Sequence, residues 1–266
     1  MIFQMNHFPA RWIRPNWPAP DRVQAVMTNR EAGASAAPWN SMNLGDHVGD
    51  VPAHVQANRD HLTHLLGRRP VFLKQVHGVH SVNLSAACPD GSMADACWTQ
   101  GTQVACAIMV AECLPVLLCD AKGQWVAAAH AGWRGLAGTQ GQGVLETLLS
   151  DLSRAGCDVS HVMAWLGPCI GPDAFEVGAD VLHAFDDGSA AIRSMFEAQS
   201  PGKFKANLAG LARLRLQALG VRHVHGNDGA PDWCTVSQPQ LFFSHRRDSR
   251  ALGQSGRMAA CIWLGA

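Results

Sequence analysis

The sequence predicts a single α+β domain with mixed β-sheets. Nearly half of its 266 residues, 47%, are hydrophobic, which is enough apolar material for a sizeable core. Segments with strand-like and helix-like hydrophobic patterns follow one another along the chain, but they do not alternate strictly. A doubly wound parallel sheet would require that alternation, so mixed sheets are favoured. Because no repeat or low-complexity linker divides the chain, we expect one domain over residues 1–266.

The first half of the chain is predicted to contain an arm, a helix and several strands. Residues 1–20 are rich in tryptophan and proline, which predicts an extended arm lying over the body. A helix is expected to begin near Asp50 and Pro52, a cap residue and a first-turn proline, and to end at Gly67. Strands are predicted at 23–27, 71–76, 79–84, 104–110, 116–118 and 125–129, and loops at 29–45 and 86–101.

The second half is predicted to be richer in helices. The segment 138–155 places its apolar residues on one face of a helix. Asn207 is expected to cap a second helix, over 208–219, which stops at Gly220. Shorter helices are predicted at 175–185 and 190–198, and strands at 162–166, 221–225, 241–244 and 258–264.

Composition argues against several classes of function. The 21 basic and 21 acidic side chains balance and no basic stripe occurs, so we expect no nucleic-acid partner. No apolar run approaches the roughly 18–20 residues that span a bilayer, and the N-terminus lacks a signal-peptide pattern. We therefore expect a cytoplasmic protein with no membrane contact. The nine cysteines have no framework spacing and are expected to be reduced thiols. A monomer is expected, although the pattern does not determine the oligomeric state.

Three residues at the ends of apolar runs form a candidate metal site. His77, Cys113 and His130 each follow a predicted strand, and a glycine follows each histidine within two residues. Two imidazoles and a thiolate suit zinc, and three protein ligands leave a fourth position open for water or substrate. The alternative is structural, with both histidines hydrogen-bonded at strand ends and Cys113 in the core. The spacing contains no CxxC or HExxH motif, so it leaves both interpretations open.

The same residues also fit nucleophilic catalysis. Cys113 would be the thiolate, His130 its base, and a carboxylate or amide would orient the imidazole ring. A thiolate held by zinc is a poorer free nucleophile, so the two hypotheses compete. Asp95, in a run of small residues, and Glu112, directly before Cys113, are candidate carboxylates for orienting a ring or transferring protons.

Three polar residues near these segments are candidate substrate contacts. Guanidinium groups bind phosphate or carboxylate through a two-pronged fork, which makes Arg134 and Arg247 candidate anion binders. The alternative for both is ordinary surface charge. Asn43 lies beside a predicted turn, where it either contacts substrate or caps the loop.

Several sequence blocks, taken in order, resemble the laccase-domain family. They are KQVHG at 74–78, ECLPV at 112–116, HAGWRG at 130–135, LGP at 166–168, FEVG at 175–178, SHRRD at 244–248 and GRMA at 256–259. Members of this family are also called polyphenol oxidase family proteins, purine nucleoside phosphorylases or peptidoglycan editing factor. The resemblance extends from about Val23 to Leu264.

The resemblance implies a fold layered α/β/β/α with a metal at the base of a pocket. The family's His, Cys and His ligands correspond to His77, Cys113 and His130. Zinc is the implied metal, and copper is also found in the family. The implied activity is phosphorolysis of adenosine, inosine, guanosine and methylthioadenosine, together with hydrolytic deamination of adenosine. The implied partners are therefore a purine nucleoside and phosphate.

Roles for individual residues follow from the resemblance as hypotheses. The expected catalytic residues are Cys113, His130, Asp95 and Glu112. The expected substrate-binding residues are Arg30, Asn43, Arg134 and Arg247, with Arg134 and Arg247 assigned to phosphate. Three positions depart from the family pattern, and one of them is Asn207, where the family often has an aspartate before the leucine that starts the helix. Glu112 stands where an aspartate is usual, and the loop at 29–33 keeps Arg30 but lacks the first glycine of Thr-Arg-x-Gly-Gly.

Two other functions remain open at this level. Some bacterial relatives resemble editing enzymes that remove a wrongly added serine from a UDP-muramoyl precursor of peptidoglycan, which a Cys–His amide hydrolase would do. A non-catalytic, zinc-stabilised binding module is the other alternative. Oxidase chemistry at a copper cluster is not supported, because the chain has a single His-x-His, at 223–225, and no cysteine flanked by histidines.

Overall fold

Thirteen strands and seven α-helices form the part of the chain that the computed structural model describes, residues 8–265. Residues 1–7 of the predicted arm lie outside the described residues. The strands are β1 (Val23–Met27), β2 (Arg69–Phe72), β3 (Ser81–Asn83), β4 (Ala96–Thr99), β5 (Val104–Val110), β6 (Leu114–Asp120), β7 (Val126–Ala131), β8 (Val162–Leu166), β9 (Glu176–Gly178), β10 (Phe196–Ser200), β11 (Lys203–Ala206), β12 (His223–Gly226) and β13 (Met258–Leu264). The helices are α1 (Pro52–Leu66), α2 (Trp133–Ala137), α3 (Val144–Arg154), α4 (Ala179–Phe185), α5 (Ala190–Arg193), α6 (Leu208–Ala218) and α7 (His245–Leu252).

Two mixed sheets face each other at the centre of the molecule and share a buried apolar core. The four-stranded sheet has the order β1-β13-β5-β2, and the six-stranded sheet has the order β12-β8-β6-β7-β4-β3. Strand β2 runs parallel to β5, β3 to β4 and β8 to β12, whereas the other pairs in these sheets are antiparallel. A small third sheet, β10-β11-β9, is antiparallel. The predicted mixed sheets are confirmed.

Helices cover the outer faces of both central sheets. Leu62 of α1 shares a buried cluster with Met109 and Trp263 of the four-stranded sheet. On the opposite side, Leu148 of α3 and Leu211 of α6 belong to the cluster that covers the six-stranded sheet. The predicted α+β class and the α/β/β/α order of layers are therefore confirmed. No helix within residues 8–265 is long and apolar enough to cross a lipid bilayer.

Strand β5 shows why an uninterrupted apolar run forms a strand in this fold. Cys106, Ile108 and Val110 point into the core between the sheets, whereas Ala107 and Met109 face the layer of α1. Because both faces are covered, every residue of β5 is buried. The alternation of polar and apolar residues that marks a half-exposed strand is therefore absent.

Several predicted boundaries are confirmed. Strands β1, β5, β8 and β13 have the predicted limits. Helix α1 ends at Gly67, which has φ 68°, but its N-cap is Val51 and not the expected Asp50. The carboxylate of Asp50 is instead buried, where it accepts bonds from a loop hydroxyl and a loop amide. Asn207 caps α6 as predicted, and its Oδ1 accepts from the backbone N–H of Gly210.

The predictions between residues 71 and 101 are partly wrong. The run 71–76 is a strand only as far as Phe72, because the Gln75 side chain then takes over the pairing with β5. Its amide donates to Met109 O at 2.8 Å and accepts from Met109 N at 2.8 Å. Residues 79–84 neither extend β2 nor pair with it, since β3 joins the other sheet beside β4. Strand β4 lies inside the predicted loop 86–101. Its four residues are too few for a hydrophobic pattern to indicate a strand.

The predicted helix over 138–155 is interrupted at its start. Gly138 has φ 62°, and a Cβ there would lie 1.9 Å from Gln142 O. The backbone therefore turns at this point, and α3 begins only at Val144. The short helix α2 lies before the turn.

Other predicted elements of the second half are also corrected. The segments 175–185 and 190–198 are helical only in α4 and α5, and they contribute β9 and β10 to the small sheet. Residues 241–244 form no strand. The basic segment after them is a helix, α7, because Ser244 Oγ accepts from the backbone N–H of Arg247 and caps its first turn.

Candidate metal centre

Three parts of the chain bring the candidate ligands together where the two sheets meet. The connections that follow β2 and β5 both cross from the four-stranded to the six-stranded sheet, and they carry His77 and Cys113. His130 lies in β7, opposite Pro115 of β6. The three ligand atoms all lie within 4.8 Å of one another. Cys113 Sγ is 3.6 Å from His77 Nε2. The structure thus gathers the three residues that the sequence predicts as ligands.

Local backbone geometry keeps these ligands close. His77 adopts φ 60°, a left-handed conformation that is uncommon for residues other than glycine. A Cβ at Gly132 would lie 2.9 Å from Cys113 Sγ and 3.0 Å from His77 Cδ2. A side chain at position 132 would therefore push both ligands away. This close approach explains why a glycine stands two residues after the candidate ligand His130 in the HAGWRG block.

A buried carboxylate supports the ligands from behind. Asp95 is fully buried, and its Oδ1 lies 2.9 Å from His130 Nδ1. The backbone N–H groups of Val76, His77 and Gly78 also donate to this carboxylate, at 2.7 to 3.2 Å. One side chain therefore fixes both the ring of His130 and the loop that carries His77. A carboxylate on the far nitrogen is the usual support for a metal-binding imidazole, and it leaves Nε2 free to bind.

The cluster carries coupled charges. Burial acts to raise the pKa of Cys113, but the charge of His130 and hydrogen bonds from both histidines outweigh it and lower this pKa to about 6. Burial acts to lower the pKa of His130, whereas Cys113 and Asp95 raise it to about 9. Burial also acts to raise the pKa of Asp95, but His130 and the backbone N–H donors lower it. The thiolate that a metal requires is therefore favoured at neutral pH.

This set of donors fits a metal ion. Two imidazole nitrogens and one thiolate sulfur are within reach of a common centre, and His77 is exposed, so the cluster is open on one side. Three protein ligands with an open side are typical of catalytic zinc sites, whereas structural sites are closed by a fourth ligand. The cluster can therefore hold a metal and still admit a small molecule.

A cavity of about 580 Å³ opens over the cluster, and the three ligands form part of its wall. This volume is typical of sites for small molecules. The apolar part of the wall includes Phe72, Leu73, Met109 and Val110. The titratable part includes Asp46, Arg59, Lys74, Asp90, Glu112, His245 and Arg257.

Glu112 lines this cavity beside Cys113. Its Oε1 accepts hydrogen bonds from Ser244 Oγ and Thr235 Oγ1. Burial raises the pKa of the Glu112 carboxyl, and the two hydroxyls and the backbone N–H of Arg246 oppose this only in part. The longer side chain, compared with the aspartate usual in the family, thus reaches the segment before α7 and is held there.

Two of the predicted substrate-binding arginines form their hydrogen bonds inside the protein. Arg247 uses all five of its side-chain N–H groups, on three backbone carbonyls of residues 235–242 and on the carboxylate of Asp248. The guanidinium of Arg30 lies 4.8 Å from the centre of the Phe243 ring and donates to oxygens of two loops. Neither arginine lines the cavity.

The other two predicted substrate contacts also lie off the cavity wall. Arg134 is exposed, with its guanidinium 4.3 Å from the centre of the Trp133 ring. Asn43 is fully buried, and its amide bonds to Gly45, to Asp50 and to the backbone N–H of Arg257. The structure therefore does not bring Arg30, Asn43, Arg134 or Arg247 to the ligand cluster.

Three cationic residues of the cavity wall were not predicted from the sequence: Arg59, Lys74 and Arg257. Lys74 and Arg257 stand inside the KQVHG and GRMA blocks, and this position in the sequence could have indicated a role at the site. Arg59 is on α1 among polar residues and gave no signal of its own.

The fold and the site define a class of protein: a layered α+β domain with an open His–Cys–His cluster that can hold a metal at a small-molecule cavity. The family model described as multi-copper polyphenol oxidoreductase laccase matches residues 24–265. The chain therefore belongs to this laccase-like family, as the sequence blocks predict.

Related proteins and structures match almost the whole chain. The chain is 48% identical to a purine nucleoside phosphorylase of Pseudomonas aeruginosa, over 95% of this chain and 98% of that protein. It is 42% identical to the purine nucleoside phosphorylase YfiH of Escherichia coli, over 96% and 99% of the two chains. The crystal structure of a Neisseria meningitidis protein matches with a TM-score of 0.85 at 43% identity, over 96% and 99%. YlmD from Geobacillus stearothermophilus matches with a TM-score of 0.85 at 29% identity, over 98% and 99%. The enzyme names of the first two relatives support an enzyme here.

Proposed function

We propose that the protein is a cytoplasmic, zinc-dependent purine nucleoside phosphorylase. Its substrates would be adenosine, inosine, guanosine and methylthioadenosine, and it would also deaminate adenosine by hydrolysis. The observation that carries this proposal is the open three-ligand cluster in the wall of the cavity. The names of the relatives in Pseudomonas aeruginosa and Escherichia coli support the reaction. Copper is the alternative metal.

The ligand residues have distinct tasks in this proposal. His77, Cys113 and His130 would hold the metal, and Asp95 would keep His130 in one tautomer with its Nε2 toward the site. When bound, zinc supplies a Lewis acid and lowers the pKa of water, which suits hydrolytic deamination. Asp95 is fully buried and already accepts four hydrogen bonds, so it orients its neighbours and does not meet substrate.

Phosphorolysis also needs proton handling. The bond between the ribose carbon and the purine nitrogen breaks, a phosphate oxygen bonds to that carbon, and the leaving purine takes up a proton. Glu112 is the carboxyl on the cavity wall beside Cys113, and we assign the delivery of this proton to it on the basis of its position.

The proposal is tested by incubating the purified protein with inosine and inorganic phosphate. The expected products are hypoxanthine and ribose 1-phosphate, and adenosine in phosphate-free buffer is expected to give inosine and ammonia. A His77→Gln variant should lose both activities together with its zinc, whereas His223→Gln, at an exposed position on β12, should keep them. Absence of product from protein that contains equimolar zinc would contradict the proposal.

A second candidate is supported by the same side chains in the absence of metal. Cys113 Sγ lies 3.6 Å from His77 Nε2, and the His130–Asp95 pair resembles the base and orienting group of a cysteine hydrolase. Such an enzyme would cleave an amide, for example by releasing serine from a UDP-muramoyl precursor. The two candidates differ in the Cys113→Ser variant. It should release metal in the first, whereas in the second it should abolish serine release by metal-free protein.

A third candidate, a non-catalytic zinc-stabilised binding module, makes a different prediction. Metal removal would then unfold the chain, and neither inosine nor a UDP-muramoyl compound would raise its melting temperature.

A further inference from the structure

One guanidinium on the cavity wall has an unused edge. Arg257 precedes β13 and lines the same cavity as His77, Cys113 and His130. Its Nη1 donates to Ser255 O at 2.6 Å and to Gly256 O at 3.3 Å. Its Nε and Nη2 donate to no group of the residues that the structure describes, although they are not sealed from the cavity. The Nε–H and one Nη2–H lie on the same edge of a guanidinium, so the unused edge is a two-pronged fork.

The neighbouring loop holds Arg257 in place. Asn43 Oδ1 accepts from the backbone N–H of Arg257 at 2.9 Å, and the backbone N–H of Leu44 donates to Arg257 O at 3.0 Å. A Cβ at Gly45 would lie 2.7 Å from Arg257 Cγ, so a glycine is needed for the arginine side chain to pass. The bonds that Nη1 makes to two carbonyls then restrict rotation of the guanidinium. The fork is therefore positioned before any ligand binds.

The positive charge of the fork is not paired with a carboxylate in the part of the chain that the structure describes. Cys113 and Glu112 attract Arg257 at longer range, but none of the ion pairs found within residues 8–265 includes it. Arg59, on the same wall, is different, because it already pairs with Asp46 at 3.2 Å and donates to Leu44 O. Arg257 therefore lies on the same cavity wall as the ligand cluster and has free N–H donors. The spacing of these donors matches two oxygens of one oxyanion.

We propose that Arg257 forms an oxyanion subsite that binds inorganic phosphate through its Nε and Nη2 groups, and that Asn43 and Gly45 are its positioning residues. The assignment of phosphate as the ligand rests on the proposed phosphorolysis. It gives Asn43 an indirect role in place of substrate contact, and it moves phosphate binding from Arg134 and Arg247 to a residue on the cavity wall.

The test is a calorimetric titration of inorganic phosphate into purified protein whose zinc content has been measured. Arg257→Lys keeps the charge but removes the fork, so it should weaken phosphate binding about tenfold or more at unchanged zinc content. Arg134→Lys, the matched control outside the cavity, should bind phosphate like the wild type. If Arg257 only balances the charge of Cys113 and Glu112, the lysine variant should also bind phosphate like the wild type, which would overturn the proposal.

A second variant tests the positioning of Arg257 if Arg257→Lys folds poorly. Gly45→Ala retains the arginine but displaces its stem, and it should raise the KM for phosphate while leaving the KM for inosine within about twofold. Equal increases in both constants, or no change in either, would overturn the positioning role.

The outcomes separate this inference from the proposed function. Phosphate binding that depends on Arg257, without release of hypoxanthine from inosine, would support the subsite and reject the phosphorylase. Phosphorolysis that is indifferent to Arg257→Lys would support the phosphorylase and reject the subsite. A wild-type protein that binds no phosphate in the millimolar range would overturn the subsite directly.

Discussion

Replacing Asp95 by asparagine should weaken both the fold and the metal site, and the structure gives the magnitude. Oδ1 faces His130 Nδ1 and the backbone N–H of His77, while Oδ2 accepts from the N–H groups of Val76 and Gly78. An asparagine has one oxygen, so two of these four donors lose their acceptor whichever way the amide is turned. Hydrogen bonds to a charged group contribute about 1.5–3 kcal/mol each, so the loss is about 3–6 kcal/mol of unfolding free energy.

Urea unfolding and zinc competition with a coloured chelator measure the two effects. Loss of carboxylate support should also lower zinc affinity by about 10–100-fold. Asp46→Asn is the matched control, because it makes the same chemical change at an exposed carboxylate on the cavity wall, whereas Asp95 is buried behind the ligands. Its ion pair with Arg59, in which the Asp46 carboxylate is exposed to solvent, should contribute less than about 1 kcal/mol. If Asp95→Asn unfolds within about 1 kcal/mol of the wild type and binds zinc equally well, Asp95 does not organise the site.

Three further predictions concern the packing and the thiol. Gly132→Ala should lower zinc affinity about tenfold or more, because the added Cβ displaces two ligands. Gly101→Ala, where a Cβ meets only a hydroxyl at 3.5 Å, should leave zinc affinity unchanged. Equal zinc affinities of the two variants would contradict the close approach at Gly132. In metal-stripped protein the pKa of Cys113 is lowered to about 6, so the thiolate should persist at pH 7. The rate of Cys113 alkylation by iodoacetamide, followed by mass spectrometry, should therefore decrease only when the pH is lowered below about 6. A rate that already decreases when the pH is lowered from 9 would contradict this prediction. Leu148→Ala should cost about 2–5 kcal/mol in a thermal or urea unfolding assay, because the side chain is fully buried, while the half-exposed Leu252→Ala should cost far less.

The three residues could be recognised in the sequence as candidate ligands because each stands at the end of an apolar run, although that pattern alone does not separate a metal site from a structural role. His77, Cys113 and His130 are polar or reactive groups that follow apolar runs in the sequence, and the small residues around them indicate close packing. Their convergence depends on the fold. The crossings after β2 and β5 bring two of them to the same edge, and only the pairing of β7 with β6 brings the third.

The roles of the arginines could not be predicted, because the role of a guanidinium depends on which acceptors its N–H groups reach in the folded protein. Arg247 and Arg257 both stand in blocks that resemble the family, yet Arg247 has five internal acceptors and Arg257 has an unused edge. Their acceptors are mostly backbone carbonyls, which every residue carries and no sequence pattern marks. The same holds for Gln75, whose amide replaces a strand pairing that its neighbours predict.

Metal binding should be linked to stability without being required for folding. A metal held by His77, Cys113 and His130 would join both sheet crossings to β7. The core between the sheets, however, is built from fully buried side chains such as Ile108 and Leu117, which do not depend on the metal. A ligand that binds only the folded state adds about 4 kcal/mol at a thousandfold excess over its dissociation constant. The metal-free protein should therefore melt cooperatively but at a lower temperature, and the midpoint should rise with the logarithm of buffered free zinc. Loss of any cooperative transition after chelation would instead favour the zinc-stabilised binding module.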